Sequence, residues 1–234
     1  MGFLAELREI KEALIRNWPG AIGYRLRTRC YRRRFKFLGQ GVRIEPGVRF
    51  FGFPYISIGD GSHIDYGCFI STGPRGASKA EMKRLPNQAF TLSEGEVSIG
   101  KAVHIALGVY ILGHGGVQIG DYSSLAGGVR VLSITGHYAS FADRSRRDVY
   151  FSMKGGAEHA CYLISPVVLG NNVGVASNAV LLPGATLSDE SFLTIGSVAH
   201  YGLIPPNSIA AGNPAARVSY RFAPPKQPPA QPAP

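Results

Sequence analysis

Six histidines are the side chains of this sequence best suited to moving a proton near neutral pH: His63, His104, His114, His137, His159 and His200. The unperturbed pKa of imidazole lies close to working pH, so such a ring can serve as a general base. Their surroundings differ. His114 stands in ILGHGGV, and His137 stands in SITGHYASFAD with Asp143 a few residues on. Three cysteines, Cys30, Cys68 and Cys161, show no metal-ligand spacing and cannot all pair, which fits a reducing compartment.

The frame that must position these groups is written as a beat of six. Ile58, Ile64 and Ile70 keep it, as do Ile99, Ile105 and Ile111, then Ile119, Leu125 and Val131. Leu169, Val175, Leu181, Leu187 and Leu193 form the longest run, and Leu38, Ile44 and Phe50 extend the pattern backwards. Residues six apart lie on different faces of a helix, so the period excludes one. It suits a short strand and a turn, repeated, with Gly, Asn or Asp at the turns. One such unit cannot bury its apolar face, whereas stacked units can. The pattern therefore predicts an all-β parallel solenoid with Ile, Leu and Val down its axis. Strides of eight join Phe50 to Ile58 and Ile111 to Ile119, as lengthened corners. Two excursions, 71–96 and 132–166, break the beat, and binding specificity is expected there.

The chain has 234 residues and a formal net charge of +10, unevenly spread. Residues 2–18 predict an amphipathic helix with Phe3, Leu4, Leu7, Ile10, Leu14 and Trp18 on one stripe, ended by Pro19-Gly20. A basic segment follows, from Arg25 to Lys36. This pair predicts either a cap on the open end of the first coil or peripheral contact with an anionic membrane. Nothing accompanies the charge that would stack or read bases, so no nucleic-acid partner is expected. No stretch is long and apolar enough to span a bilayer and no secretory signal is present, so a cytoplasmic protein is expected, peripheral to the inner membrane if the first segment docks. Three regions result: 1–36, the solenoid at 37–219, and a Pro-rich tail at 220–234 expected to be disordered.

The segments ISIGDGSHIDYGCFIS, VSIGKAVHIALGVYILG and VVLGNNVGVASNAVLLPGATLSDESFLTIGSV, followed by IPPNSIAAGNPAARV, resemble the hexapeptide-repeat acyltransferases. Among these the chain is most similar to bacterial surface-polysaccharide O-acetyltransferases and to maltose and galactoside acetyltransferases. The resemblance covers about residues 18–219. It implies a left-handed parallel β-helix, a homotrimer, and acetyl-CoA in a groove between subunits. It implies acetyl transfer to a sugar hydroxyl, with His137 as the general base at the start of the second excursion. Asp143 would orient the imidazole or bind the acceptor. His114 is the runner-up for the base and, with His159 and Arg144, a candidate for acceptor binding; Arg144, Arg146 and Arg147 suggest an anionic acceptor. The donor would lie on Ala176, Ser177, Ile195, Gly196 and Ser197, with Asn213, Pro214 and Ala215 towards the nucleotide end. His63, His104 and His200 are read as outward wall residues. No metal is expected, because the closely spaced histidines and Gln-Asp signature of the related carbonic anhydrases are lacking.

The sequence departs from the family pattern in three places. Gly174 stands where the family often has Trp, His200-Tyr201 replaces a Thr-Lys pair, and Ala216 replaces a Lys. Arg217 or Arg221 would then have to face the CoA phosphates. An amino-sugar nitrogen as acceptor, or a non-catalytic scaffold, are the alternative readings.

Overall fold

The computed structural model describes residues 3–73 and 78–223. Pro74 and Gly76 of the first excursion, and the predicted tail from Pro224 onward, lie outside the described residues, as do the side chains of Phe3 and Leu4.

The beat of six winds into a three-walled parallel β-helix. Its walls are sheets of seven, eight and six strands. Each coil contributes one short strand to each wall, so residues on the beat fall into three internal columns. Ile58, Ile99, Ile119, Leu169, Leu187 and Ile204 line the first wall in successive coils. Ile44, Ile64, Ile105, Leu125, Val175, Leu193 and Ala210 line the second. Phe50, Ile70, Ile111, Val131, Leu181 and Ala199 line the third. All are buried. Each fully buried Ile or Leu stabilises the stack by about 1.5–3 kcal/mol relative to exposure.

The corners explain the residues between the beats. Where the first wall turns into the second, one residue per coil sits at positive φ: Gly61, Ala102, Tyr122, Asn172, Glu190 and Asn207. The preceding Asp or Asn caps the neighbouring coil: Asp60 Oδ1 accepts from the Gln40 amide at 2.7 Å, and Asp189 Oδ1 from the Asn171 amide at 2.7 Å. This side-chain ladder satisfies amides that the sharp turn would leave unpaired.

Every lengthened corner falls on the same edge, where the third wall turns back into the first. The Phe53–Tyr55 turn, both excursions and the His114–Gly116 corner all lie there. Residues leaving the repeat at different points in the sequence are therefore stacked side by side. The two excursions pair with each other. Cys161–Ile164 runs parallel to Glu81–Arg84 and antiparallel to Ile134–Gly136.

The N-terminal region holds one helix more than the sequence predicts. Helix α1 spans Phe3–Asn17 and helix α2 spans Gly20–Arg32, so the basic segment is largely helical. Helix α2 covers the open end of the first coil. Tyr31 is buried among Phe35, Phe50 and Phe53, with ring centroids 5.3–6.4 Å from it. The cap is thus made by α2, while the outer face of α1, with Leu7, Ile10, Leu14 and Trp18, stays exposed.

Candidate functional site

The third-to-first edge carries a cavity of about 960 Å³ between the two excursions. Its lining includes Thr72 and Lys79 from the first excursion, Thr135 and Tyr162 from the second, and His114 from the corner between them. His114 packs its ring against Gly73, where a Cβ would come within 2.3 Å of the imidazole. Burial lowers its pKa, so the ring is held towards the neutral form, and its Nδ1 is buried without a partner among the described residues.

His137 stands just beyond this lining, on the loop that follows Ile134–Gly136. Its amide donates to the Cys161 carbonyl at 2.8 Å. Its ring is stacked between Tyr138 and Phe141, at centroid distances of 4.4 and 4.2 Å. Nδ1 lies 2.7 Å from the Ala139 carbonyl oxygen and 3.4 Å from the Ala139 amide nitrogen. A carbonyl can only accept, and the shorter contact wins, so Nδ1 carries the hydrogen and Nε2 keeps the lone pair. That tautomer is the one a base at Nε2 needs.

Asp143 does not provide the orienting contact: its carboxylate accepts from the Ser145 amide at 2.9 Å and hydroxyl at 2.7 Å, which hold its pKa low. Instead the loop is anchored by Glu81, a residue of the first excursion that no motif or spacing marks out. Glu81 Oε1 accepts from the amides of Phe141 at 2.6 Å and Ala142 at 2.8 Å. The Ser140 hydroxyl, then these amides, keep its carboxyl below the usual range.

His159 belongs to a second polar group. Its Nδ1 lies 2.8 Å from the Asp148 carbonyl oxygen and 3.0 Å from Asp148 Oδ2. Arg146 pairs with the same carboxylate at 2.6 Å, so this arginine is already engaged. Arg144 is exposed and stacks over Tyr138 at 5.2 Å, and Arg147 is exposed. His200 Nε2 donates to Asn213 Oδ1 at 2.9 Å.

The proposed donor residues do stack. Ser177 and Ile195 occupy one corner in successive coils, the Gly196 amide donating to the Ser177 carbonyl at 3.0 Å, and Ile195 is exposed. Ala176 and Ser197 flank that corner, and Asn213, Pro214 and Ala215 form the turn into the final antiparallel strand, Ala215–Tyr220. Phe192 of the next coil is the register partner of Gly174 and covers it, so that a Cβ at Gly174 would lie 2.7 Å from its ring. Of the two arginines, Arg221 donates to the Asn172 carbonyl at 2.7 Å, while Arg217 lies over the Tyr220 ring at 4.6 Å.

No family model matches the sequence. Galactoside O-acetyltransferase of Escherichia coli (strain K12) is 33% identical over 123 residues, which are 50% of this chain and 53% of that protein. The chain thus spans about half the length of that enzyme. The dTDP-4-amino-4,6-dideoxy-D-glucose acyltransferase of Escherichia coli is 25% identical over 166 residues, 70% of this chain and 71% of that protein. Among solved structures, a point mutant of AntD, an N-acyltransferase from Bacillus cereus in complex with dTDP-4-amino-4,6-dideoxyglucose and coenzyme A, superposes with a TM-score of 0.65 at 16% identity. It covers 84% of this chain and 90% of its own, a likeness of fold. The chain, a left-handed parallel β-helix, is thus similar in sequence to a galactoside O-acetyltransferase and a dTDP-amino-sugar acyltransferase and in fold to a solved N-acyltransferase.

Proposed function

We propose that this protein is an acetyl-CoA-dependent O-acetyltransferase that acetylates a sugar hydroxyl of a bacterial surface polysaccharide or its precursor. The observation that carries this reading is His137, whose Nδ1–H is bound to a carbonyl so that Nε2 is the basic atom. A hydroxyl holds its proton tightly near neutral pH and attacks a thioester slowly. In the proposed step Nε2 takes that proton as the oxygen attacks the acetyl carbonyl. The tetrahedral intermediate then expels the CoA sulfur, and the imidazolium returns the proton to it. The acceptor would sit in the cavity between the excursions, beside His114, with Arg144 and His159 near its outer part. The donor would run along the Ser177–Ile195 corner, with its phosphates towards Arg217. An assembly of three chains would bring that corner of one subunit to the excursion edge of another.

The second reading, N-acylation of a nucleotide-linked amino sugar, is favoured by the names of the dTDP-amino-sugar acyltransferases among the relatives. An amine also needs its proton removed, so the same base serves. Both enzymatic readings expect CoA and acetyl-CoA at millimolar concentration to raise the unfolding temperature, since a ligand that binds only the folded chain stabilises it. The absence of any shift with either would favour a scaffold. Turnover with neutral sugars against dTDP-amino sugars then separates the two acceptors.

The exposed stripe on α1 supports one further part of this reading, contact with an anionic membrane. Arg25, Arg29 and Arg33 are exposed on or just after α2, beside Ile22, which is 70% exposed. Flotation with anionic vesicles is expected to require residues 1–36. Equal flotation without them would remove this segment from that role.

A further inference from the structure

His63 and His104 stand on the outer face of the second wall, as their sequence context predicts, but they are not isolated there. They are register partners on adjacent coils, and their rings stack at a centroid distance of 5.6 Å. Asp65 lies between them: His63 Nε2 is 3.2 Å from Asp65 Oδ1, and His104 Nε2 is 3.1 Å from Asp65 Oδ2. Glu45, from the coil below, brings a second carboxylate to His63 Nε2 at 3.2 Å. Its side chain is only 8% exposed.

Two imidazole nitrogens and the Asp65 carboxylate thus converge on one spot, with Glu45 beside His63. The donor atoms of His63, Asp65 and His104 all lie within 4.8 Å of one another. Ligands held at about 2.0–2.1 Å around a tetrahedral metal lie roughly 3.3 Å apart, close to the 3.1–3.2 Å that separates each imidazole nitrogen from Asp65. Asp65 supplies negative charge between the two rings, while Glu45 is paired by Arg43 and also lies near the Arg27 guanidinium. The backbone beneath is stiff: the amides of Glu45, His63 and Asp65 donate to carbonyls of the next coil at 2.8–2.9 Å. Arg43 would hold the Glu45 carboxylate in place from outside.

We propose that His63, His104 and Asp65 form a binding site for a divalent first-row transition-metal ion such as zinc, with Glu45 positioning His63. Mixed nitrogen and carboxylate donors suit zinc, cobalt, nickel or copper ions better than magnesium or calcium. The site lies on the second wall, across the helix from the third-to-first edge. It would tie the second and third coils together, close to the first coil and its N-terminal cap.

The test uses the full chain, freed of metal with a chelator, and titrated with zinc by calorimetry and with cobalt by visible absorption. One equivalent per chain is expected, with the absorption of a nitrogen- and oxygen-bound cobalt ion of low coordination number, and a rise in unfolding temperature with zinc. Asp65→Asn keeps the shape and is expected to weaken binding at least about tenfold, as loss of a ligand or its partner typically does. His63→Ala with His104→Ala is expected to abolish it. Binding that is absent in the parent chain, or unchanged in both variants, overturns the proposal. Far-ultraviolet circular dichroism of each variant separates lost binding from lost folding.

Discussion

Replacing His137 with Ala is expected to lower the rate of acyl transfer by about 10²–10⁴, while CoA binding and assembly mass stay unchanged. General-base assistance is worth a factor of that size, which corresponds to roughly 3–5 kcal/mol of barrier. The ring is partly buried, stacks with Tyr138 and Phe141 on a loop outside the coils, and lies apart from the core of the helix, so the fold should survive the substitution. The decisive comparison is with His159→Ala. Asp148 gives His159 an acidic partner that His137 lacks among the described residues, and by that criterion alone His159 would be the better base. The His137 reading needs His159→Ala to act mainly on the Michaelis constant of the acceptor. If His159→Ala abolishes turnover and His137→Ala does not, the roles are exchanged. Glu81→Gln provides a third reading. Its oxygen still accepts from the Phe141 and Ala142 amides, but more weakly, so a modest fall in kcat is expected through the loop that carries His137.

How much of this was legible in the sequence depends on how far each relation reaches along the chain. The columns were legible because Ile58, Ile64 and Ile70 lie within one coil, and a period can be read locally. His137 was legible as a position, at the point where the beat stops. What supports it was not. Glu81 meets the His137 loop across some sixty residues, through two excursions that have no period of their own. His63 and His104 look unrelated because the first excursion separates them; removing it would leave them about one coil apart, and the wall restores that register. Helix α2 was hidden for another reason. Its inward face presents Arg27 as well as Gly23 and Tyr31, so no apolar stripe marks it. A buried arginine reads as one more member of a basic run until the carbonyls around it are seen.

Those carbonyls make Arg27 the residue whose loss should most disturb the N-terminal cap. Arg27 is 1% exposed. Its Nε donates to the Ile44 carbonyl at 2.9 Å, and its Nη1 to those of Trp18 at 2.6 Å and Ile15 at 3.3 Å. Ile15 and Trp18 lie at the end of α1, where a helix leaves carbonyls unpaired and its dipole is negative, so one cation answers both needs. The same side chain therefore joins α1, α2 and the first coil. Burial lowers its pKa, and the charge of Glu45 offsets part of that shift. Arg27→Ala would take the guanidinium from three carbonyls, those of Ile44 and Ile15 in buried contacts, and leave a void behind them. A loss of about 3 kcal/mol from the docking of both helices is expected. Arg27→Lys keeps the charge but cannot fork to both helices, so it should recover only part. Because the helices dock on each other and on the first coil, the effect should appear as faster amide exchange across residues 3–32, with the coils from Val167 onward still protected. Unchanged exchange in α1 and α2 of Arg27→Ala would show that apolar contacts around Tyr31 hold the cap by themselves.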